Sequence, residues 1–194
     1  MNLTLILAVV LVISYQPARC QSQRPFLEAF PSVSLSNLGQ AHGIGTHFAY
    51  GVSFLLAPSE QFRIGFSADI SNPASSYDLI GTRASESIHV SILQVVLGYQ
   101  ITSTSSPINL SGIGSLGLIS LSSEERLISA GGFGVIRVPG RSQQSAMISL
   151  GIIGSRELAP HLSVFVFPKV LSVSPMQMSS LGYSIGGGLS IGVF

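Results

Sequence analysis

His89-Val90-Ser91 is a pair spaced for nucleophilic chemistry. Positions two apart share one face of a strand, so the imidazole can reach the hydroxyl and take its proton. Such a pair needs an acidic group to orient the ring. Downstream no acid follows until Glu124, and Glu86 lies upstream in an expected loop. An ordinary inward-facing His and Ser therefore outweighs a catalytic dyad, and no catalytic residue is assigned. A second constellation is His47, Arg63 and Asp69. Arg63 and Asp69 share a strand face but stand too far apart along it to pair directly. Each is expected to bond to another strand, and with His47 they form an expected interior polar cluster. His42, His47, His89 and His161 lack the spacing of metal ligands, so neither a metal nor a cofactor is expected. Gly186-Gly187-Gly188 is no phosphate loop, because neither a helix nor a lysine follows it.

The elements that must hold these residues are strands. Phe48, Tyr50, Val52, Phe54 and Leu56 fall on one face, with His47, Ala49, Gly51 and Ser53 on the other. Phe62, Ile64, Phe66, Ala68 and Ile70 repeat the pattern beyond a short turn at residues 58–60, which makes a hairpin. Residues 28–38 make a weaker first strand. Residues 72–86 read as a long loop. Residues 87–101 read as a strand with a bulge near Ile92 and Leu93, where the apolar row changes parity. Strands follow at 108–121, 145–154 and 161–173, with short turns at 102–107 and 156–160. Segment 127–138 is ambiguous. Alternation of short turns and long connections puts it inside a long outer loop, as a hairpin extension, and leaves eight strands; ten is the alternative.

In the closing strand, Tyr183, Ile185, Leu189, Ile191 and Val193 alternate with Gly and Ser, and Phe194 stands one step off that row. A soluble strand rarely keeps an apolar row to its end, whereas a lipid-facing strand does. Composition agrees. Hydrophobic residues make up 46% of the 194 and charged residues only 9%, far below the roughly 25% of soluble domains. Past the N-terminus no apolar run is long enough for a spanning helix. A net charge of +1 offers nothing to nucleic acid. In lipid a free sheet edge has no water to satisfy it, so the sheet must close. The expectation is a closed, antiparallel, up-and-down all-β barrel over residues 21–194. A secreted β-sandwich is the lesser alternative, since it would carry clearly charged outer faces.

Residues 1–20 read as a cleaved signal peptide: an apolar core over residues 3–13, then Ala18-Arg19-Cys20 with small residues at the −3 and −1 positions. Arg19 argues against lipidation of Cys20, the sole cysteine. Aromatic girdles are expected from Phe48, Tyr50, Phe62, Phe66, Tyr99, Phe165 and Phe167.

The strand–turn–strand of residues 149–167 and the Gly-rich closing strand with its aromatic end resemble the small outer-membrane β-barrel domains of Gram-negative bacteria. The resemblance covers residues 50–194. It implies location in the bacterial outer membrane, contact with lipid and lipopolysaccharide, and delivery by periplasmic chaperones to the barrel-assembly machinery. It also implies a monomer and a closing-strand assembly signal carried by Gly188, Ile191, Val193 and Phe194. His89 and Ser91 resemble the His-x-Ser pair of outer-membrane lipid A deacylases, without the acidic residue of that family. The function expected is a non-enzymatic structural or surface-interaction role. A narrow channel or binder for small apolar molecules is the first alternative and a deacylase-like hydrolase the second.

Overall fold

The computed structural model describes residues 27–38, 44–79, 82–102, 106–129, 135–173 and 180–193. The strands are β1 (Leu27–Asn37), β2 (His47–Leu56), β3 (Phe62–Ser71), β4 (Ala74–Leu79), β5 (Thr82–Gln100), β6 (Asn109–Ser123), β7 (Arg126–Ser129), β8 (Val135–Val138), β9 (Arg141–Ala159), β10 (Leu162–Val173) and β11 (Ser180–Val193). Eight of them, β1, β2, β3, β5, β6, β9, β10 and β11, form the wall in that order, each antiparallel to its neighbours. Pairing of β1 with β11, from Leu27 opposite Val193 to Asn37 opposite Tyr183, closes the sheet. The expected eight-stranded closed barrel is therefore the fold. Closure gives the backbone groups of the wall strands partners on both sides, as lipid requires.

One end of the barrel carries the short connections, at residues 57–61, 101–108 and Pro160-His161, together with Leu27 and Val193. The turn expected at 156–160 is tighter than that, because β9 stays in strand conformation to Ala159. His161 adopts φ 62° there, and its carbonyl accepts a 2.7 Å bond from the amide of Gly192.

The other end is built differently from the expectation. In the segment expected as a loop, residues 74–79 and 82–86 are strand. Ser71 faces Val90 and, past Asn72-Pro73, Ala74 faces Ser87 in unchanged register, up to Leu79 opposite Thr82. The hairpin of β3 and β5 simply continues as β4 and β5. Likewise Ser123 faces Arg141 and, past a short interruption, Arg126 faces Val138 in the same register. Residues 127–129 and 135–138 thus pair as the expected hairpin extension. β5 and β9 each run 19 residues. At about 3.3 Å per residue that is about 60 Å, roughly twice a hydrocarbon core. Two ribbons therefore extend past the wall at the long-connection end.

The outward face of the wall carries a band of apolar side chains. Phe48, Tyr50, Phe54, Phe62, Ile64, Phe66, Leu93, Val95, Leu97, Leu116, Leu118, Leu150, Val170, Ile185 and Leu189 are all exposed on it. Phe62 and Tyr99 meet edge to face at 5.3 Å near the short-turn end. Two expectations about faces are corrected. There is no bulge at Ile92 and Leu93: β5 keeps one register against β3 and β6 throughout. Val90 and Ile92 point inward while Leu93, Val95 and Leu97 point outward, because the interior at that level is itself apolar. Phe165 and Phe167 are not girdle residues. They are buried inside, at 2% and 8% exposure.

The closing strand makes room for them. Phe165 faces Gly188 and Phe167 faces Gly186 across the β10–β11 ladder. A side chain at Gly188 would run into the carbonyl of Pro31, and one at Gly186 into Val33 and Ser34 of β1. The glycine triplet lets β11 lie close against β1 while two large rings occupy the space beside it.

Candidate functional site

The groups capable of chemistry lie in the lumen, in layers. Arg63, on β3 near the short-turn end, points inward opposite the Gly98 position of β5. Its Nε donates to Glu28 Oε2 of β1 at 3.3 Å and its Nη2 to Oε1 at 3.4 Å, a two-pronged pair with both side chains 11% exposed. Its Nη1 donates to Gln100 Oε1 at 3.4 Å. Gln100 in turn donates to the carbonyl of Thr102 at 3.0 Å and to Asn109 Oδ1 at 3.4 Å. This network ties β1, β3, β5 and β6 across the lumen.

Above it lies an apolar layer of Phe30, Leu55, Val96, Phe165 and Phe167, with Ile153 against them. The rings of Phe30 and Phe165 meet edge to face at 5.3 Å, and those of Phe165 and Phe167 stack at 6.0 Å.

A second polar layer follows. Lys169 Nζ of β10 stands 3.4 Å from Asp69 Oδ2 of β3. Gln94 of β5 donates to the same oxygen at 3.3 Å, and Ser115 of β6 donates to Gln94 Oε1. Ser115 also bonds Ser149 of β9 at 2.6 Å. Lys169 Nζ lies 5.5 Å from the centre of the Phe167 ring, a cation–π contact. The Asp69 carboxylate fits because its neighbour on β2 is Gly51: a β-carbon there would occupy the place of Asp69 Oδ1. Nearby Ser36 donates to Ser184 at 2.8 Å, joining β1 to β11. A cavity of about 50 Å³ lies here, lined by Asp69, Gln94 and Lys169 and by apolar side chains such as Phe30, Leu55 and Phe165. That is space for a few waters, given the roughly 10–15 Å³ each one needs.

At the long-connection end an apolar cluster of Leu38, Ile44, Val90, Ile92, Ile119, Leu121, Met147, Leu171 and Val173 fills the barrel, each at most 9% exposed. The lumen thus runs ion pair, aromatic layer, ion pair, apolar plug. Its four central charges cancel in pairs, so among the described residues no ring of one sign stands at that level.

His47, Arg63 and Asp69 do not come together as one cluster. His47 sits at the start of β2, at the long-connection end, where its Nδ1 is 2.9 Å from the carbonyl oxygen of Gly45. Thr46, Asn37 and Tyr183 make a separate rim network beside it, at 3.1 and 3.3 Å. Arg63 and Asp69 lie on one strand but bond to Glu28 and Lys169 on two others. Sequence reasoning did not single out Glu28, Gln94, Lys169 or Ser115. Lys169 left a signal, as a lone cation among the apolar residues of its strand.

His89 and Ser91 share a face, but it is the outward one, because β5 runs without a bulge. The expected inward orientation is corrected. His89 Nδ1 lies 2.7 Å from Asn72 Oδ1 of the neighbouring strand connection. Glu86 stands on the opposite parity of β5, so its carboxylate is not on the face that carries the pair. Among the described residues no group of three His, Cys, Asp or Glu side chains converges as a metal site. Of the closing-strand residues, Gly188 pairs with Ser32 and Phe165, Ile191 faces outward at 46% exposure, and Val193 faces Leu27. Phe194, like Cys20, lies outside the described residues.

No protein-family model matches the chain, and comparison with curated proteins finds no match. Solved structures do match. Neisserial surface protein A aligns over 86% of this chain and 96% of its own, with TM-score 0.54 and 11% identity. The outer membrane protein OprG from Pseudomonas aeruginosa aligns over 89% and 98%, with TM-score 0.51 and 10% identity. The fold is that of the small eight-stranded outer-membrane β-barrels. At these identities the likeness is one of architecture, and it covers nearly the whole length of those barrels.

Proposed function

We propose that this chain is an exported, monomeric barrel of the Gram-negative outer membrane. It neither conducts nor catalyses, and it acts through the two ribbons at its long-connection end. The observation that carries this reading is the filled lumen. An apolar plug and an aromatic layer bracket the central ion pair, beside a cavity of about 50 Å³. A small barrel is filled by its own side chains, as expected for eight strands. The apolar band on the exterior supports the membrane setting. On this reading residues 1–20 are removed on export, and lipid and lipopolysaccharide surround the wall. Periplasmic chaperones deliver the chain to the assembly machinery, which reads Gly188, Ile191, Val193 and Phe194.

Planar-bilayer recording of the folded protein tests the closed lumen. The expected trace is free of a stable open level. A stable conductance would favour the narrow channel instead. Two further readouts complete the test: fractionation with outer membranes, and a gel mobility that changes on boiling. Lipid A acyl profiles are expected to be the same with wild type and with Ser91→Ala, and a difference would revive the hydrolase.

A further inference from the structure

The outward face of β3, β5, β6 and β9 changes character along one line. Phe66, Val95, Leu116 and Ile148 stand side by side in register, all exposed. The next outward row toward the long-connection end is Ala68, Leu93, Leu118 and Ala146. Beyond it lies the row of Ile70, Ser91, Ser120 and Gln144, followed on β5, β6 and β9 by His89, Ser122 and Ser142. Neighbouring strands thus pass together from apolar side chains to hydroxyl and amide ones. β2 and β11 mark the same end differently. There Phe48, Tyr50 and Tyr183 point outward and are exposed, as an aromatic girdle does at a membrane boundary.

An open groove of about 290 Å³ crosses that line. It exists because Ala68, Ser91 and Ser120 are small where their outward neighbours Ile70, Leu93 and Leu118 are large. Its end nearer the middle of the wall is apolar, and its other end carries Ser91, Ser120 and Gln144. The groove therefore has the polarity of an amphiphile, and its apolar end is continuous with the band that faces lipid. Its polar end holds no charge. Hydroxyl and amide groups at the edge of hydrocarbon are costly unless something hydrogen-bonds them. They complement other uncharged hydroxyl and amide groups, whereas a phosphodiester head is held best by Arg or Lys.

We propose that this groove seats one acyl chain of a glycolipid, a sugar whose hydroxyl and amide groups carry its chains. The chain lies over Ala68 against Leu93 and Leu118. The ester, amide and hydroxyl groups at its root bond Ser91, Ser120 and Gln144. Apolar contact supplies affinity for any acyl chain, and the uncharged polar row selects the sugar-linked one over a phospholipid. This rests on the reading of the wall as set in outer-membrane lipid and names the lipid chemistry that one sector of it selects.

The test is native mass spectrometry of the folded full chain, released from micelles doped equally with three lipids of matched acyl chains. One is a phosphate-free acylated glucosamine disaccharide, and the others are phosphatidylglycerol and phosphatidylethanolamine. Two or three neutral hydrogen bonds predict that the glycolipid is retained about tenfold over either phospholipid. Ser91→Ala with Ser120→Ala should reduce that preference to about twofold or less. Ala68→Phe fills the apolar end and should lower glycolipid retention about tenfold, whereas Leu189→Phe, on the outward face of β11, should leave it unchanged. Boiling-dependent gel mobility checks that each variant folds. Equal retention of the three lipids, a preference that survives the serine variant, equal effects of Ala68→Phe and Leu189→Phe, or no adduct at all overturns the proposal. Such a failure in a chain that fractionates with outer membranes leaves the broader reading standing, whereas a chain absent from those membranes overturns that reading whatever the adducts show.

Discussion

Removal of Lys169 probes how the interior is held. Its ammonium stands 3.4 Å from Asp69 Oδ2, with both side chains 12% exposed. Lys169→Met deletes the charge and leaves the carboxylate with the Gln94 amide, 3.3 Å away, as its remaining donor. Asp69→Asn leaves the ammonium with the face of Phe167. Breaking a buried pair from one side costs about 3–5 kcal/mol when the orphaned charge has no other recourse. Here a cavity with Ser32, Ser53 and Ser67 in its lining adjoins both groups and can hydrate the survivor. We therefore expect about 2 kcal/mol for each single variant, below the usual range for a dry pair. In Asp69→Asn/Lys169→Met neither charge is left behind, and the cost should fall to about 1 kcal/mol. The coupling energy is then about 3 kcal/mol. Equilibrium urea unfolding into and out of lipid vesicles, followed by tryptophan-free probes such as far-UV circular dichroism, gives all four corners of the cycle. Singles costing under about 0.5 kcal/mol and adding in the double variant would refute a coupled pair at this level of the lumen.

Gly51→Ala places a methyl where Asp69 Oδ1 lies, so it should displace the carboxylate from Lys169 and cost about 1–3 kcal/mol. In an Asp69→Ala background the same change should cost much less, and equal costs in both backgrounds would show that Gly51 serves something other than Asp69. Phe66 points outward at 63% exposure in the middle of β3, between Phe54 and Val95. Phe66→Arg should cost about 2–4 kcal/mol in vesicles, whereas unchanged urea unfolding would place that surface outside the hydrocarbon.

Much of the wall was legible in the residues. Strict alternation in β2, β3 and β11 fixes strand type and which residues share a face, because a two-residue period has one physical meaning. The apolar row identifies the outward face wherever Gly and Ser occupy the other, as in β11. This logic weakens where both faces are apolar. In β5, Val90 and Ile92 belong to the upper plug and Leu93 to the exterior, so the change of parity imitates a bulge that the unbroken register excludes. In β10, aromatic residues suited to a girdle turn inward because Gly186 and Gly188 leave space there. Residues 74–79 and 82–86 carry a loop-like polar composition because ribbon strands beyond the wall need no apolar face.

From the sequence alone came a closed barrel of eight strands, its lipid-facing rows, and the expectation that Arg63 and Asp69 each bond to another strand. Local alternation and the ban on free edges in lipid are enough for that. Tertiary structure alone decided the partners, Glu28 for Arg63 and Lys169 for Asp69, and it separated His47 from both. It also turned His89 and Ser91 outward and gathered buried apolar side chains at the long-connection end. Those outcomes depend on which residues of non-adjacent strands reach the same level of the barrel. That level is set by the register of all eight ladders at once, and no single strand carries it.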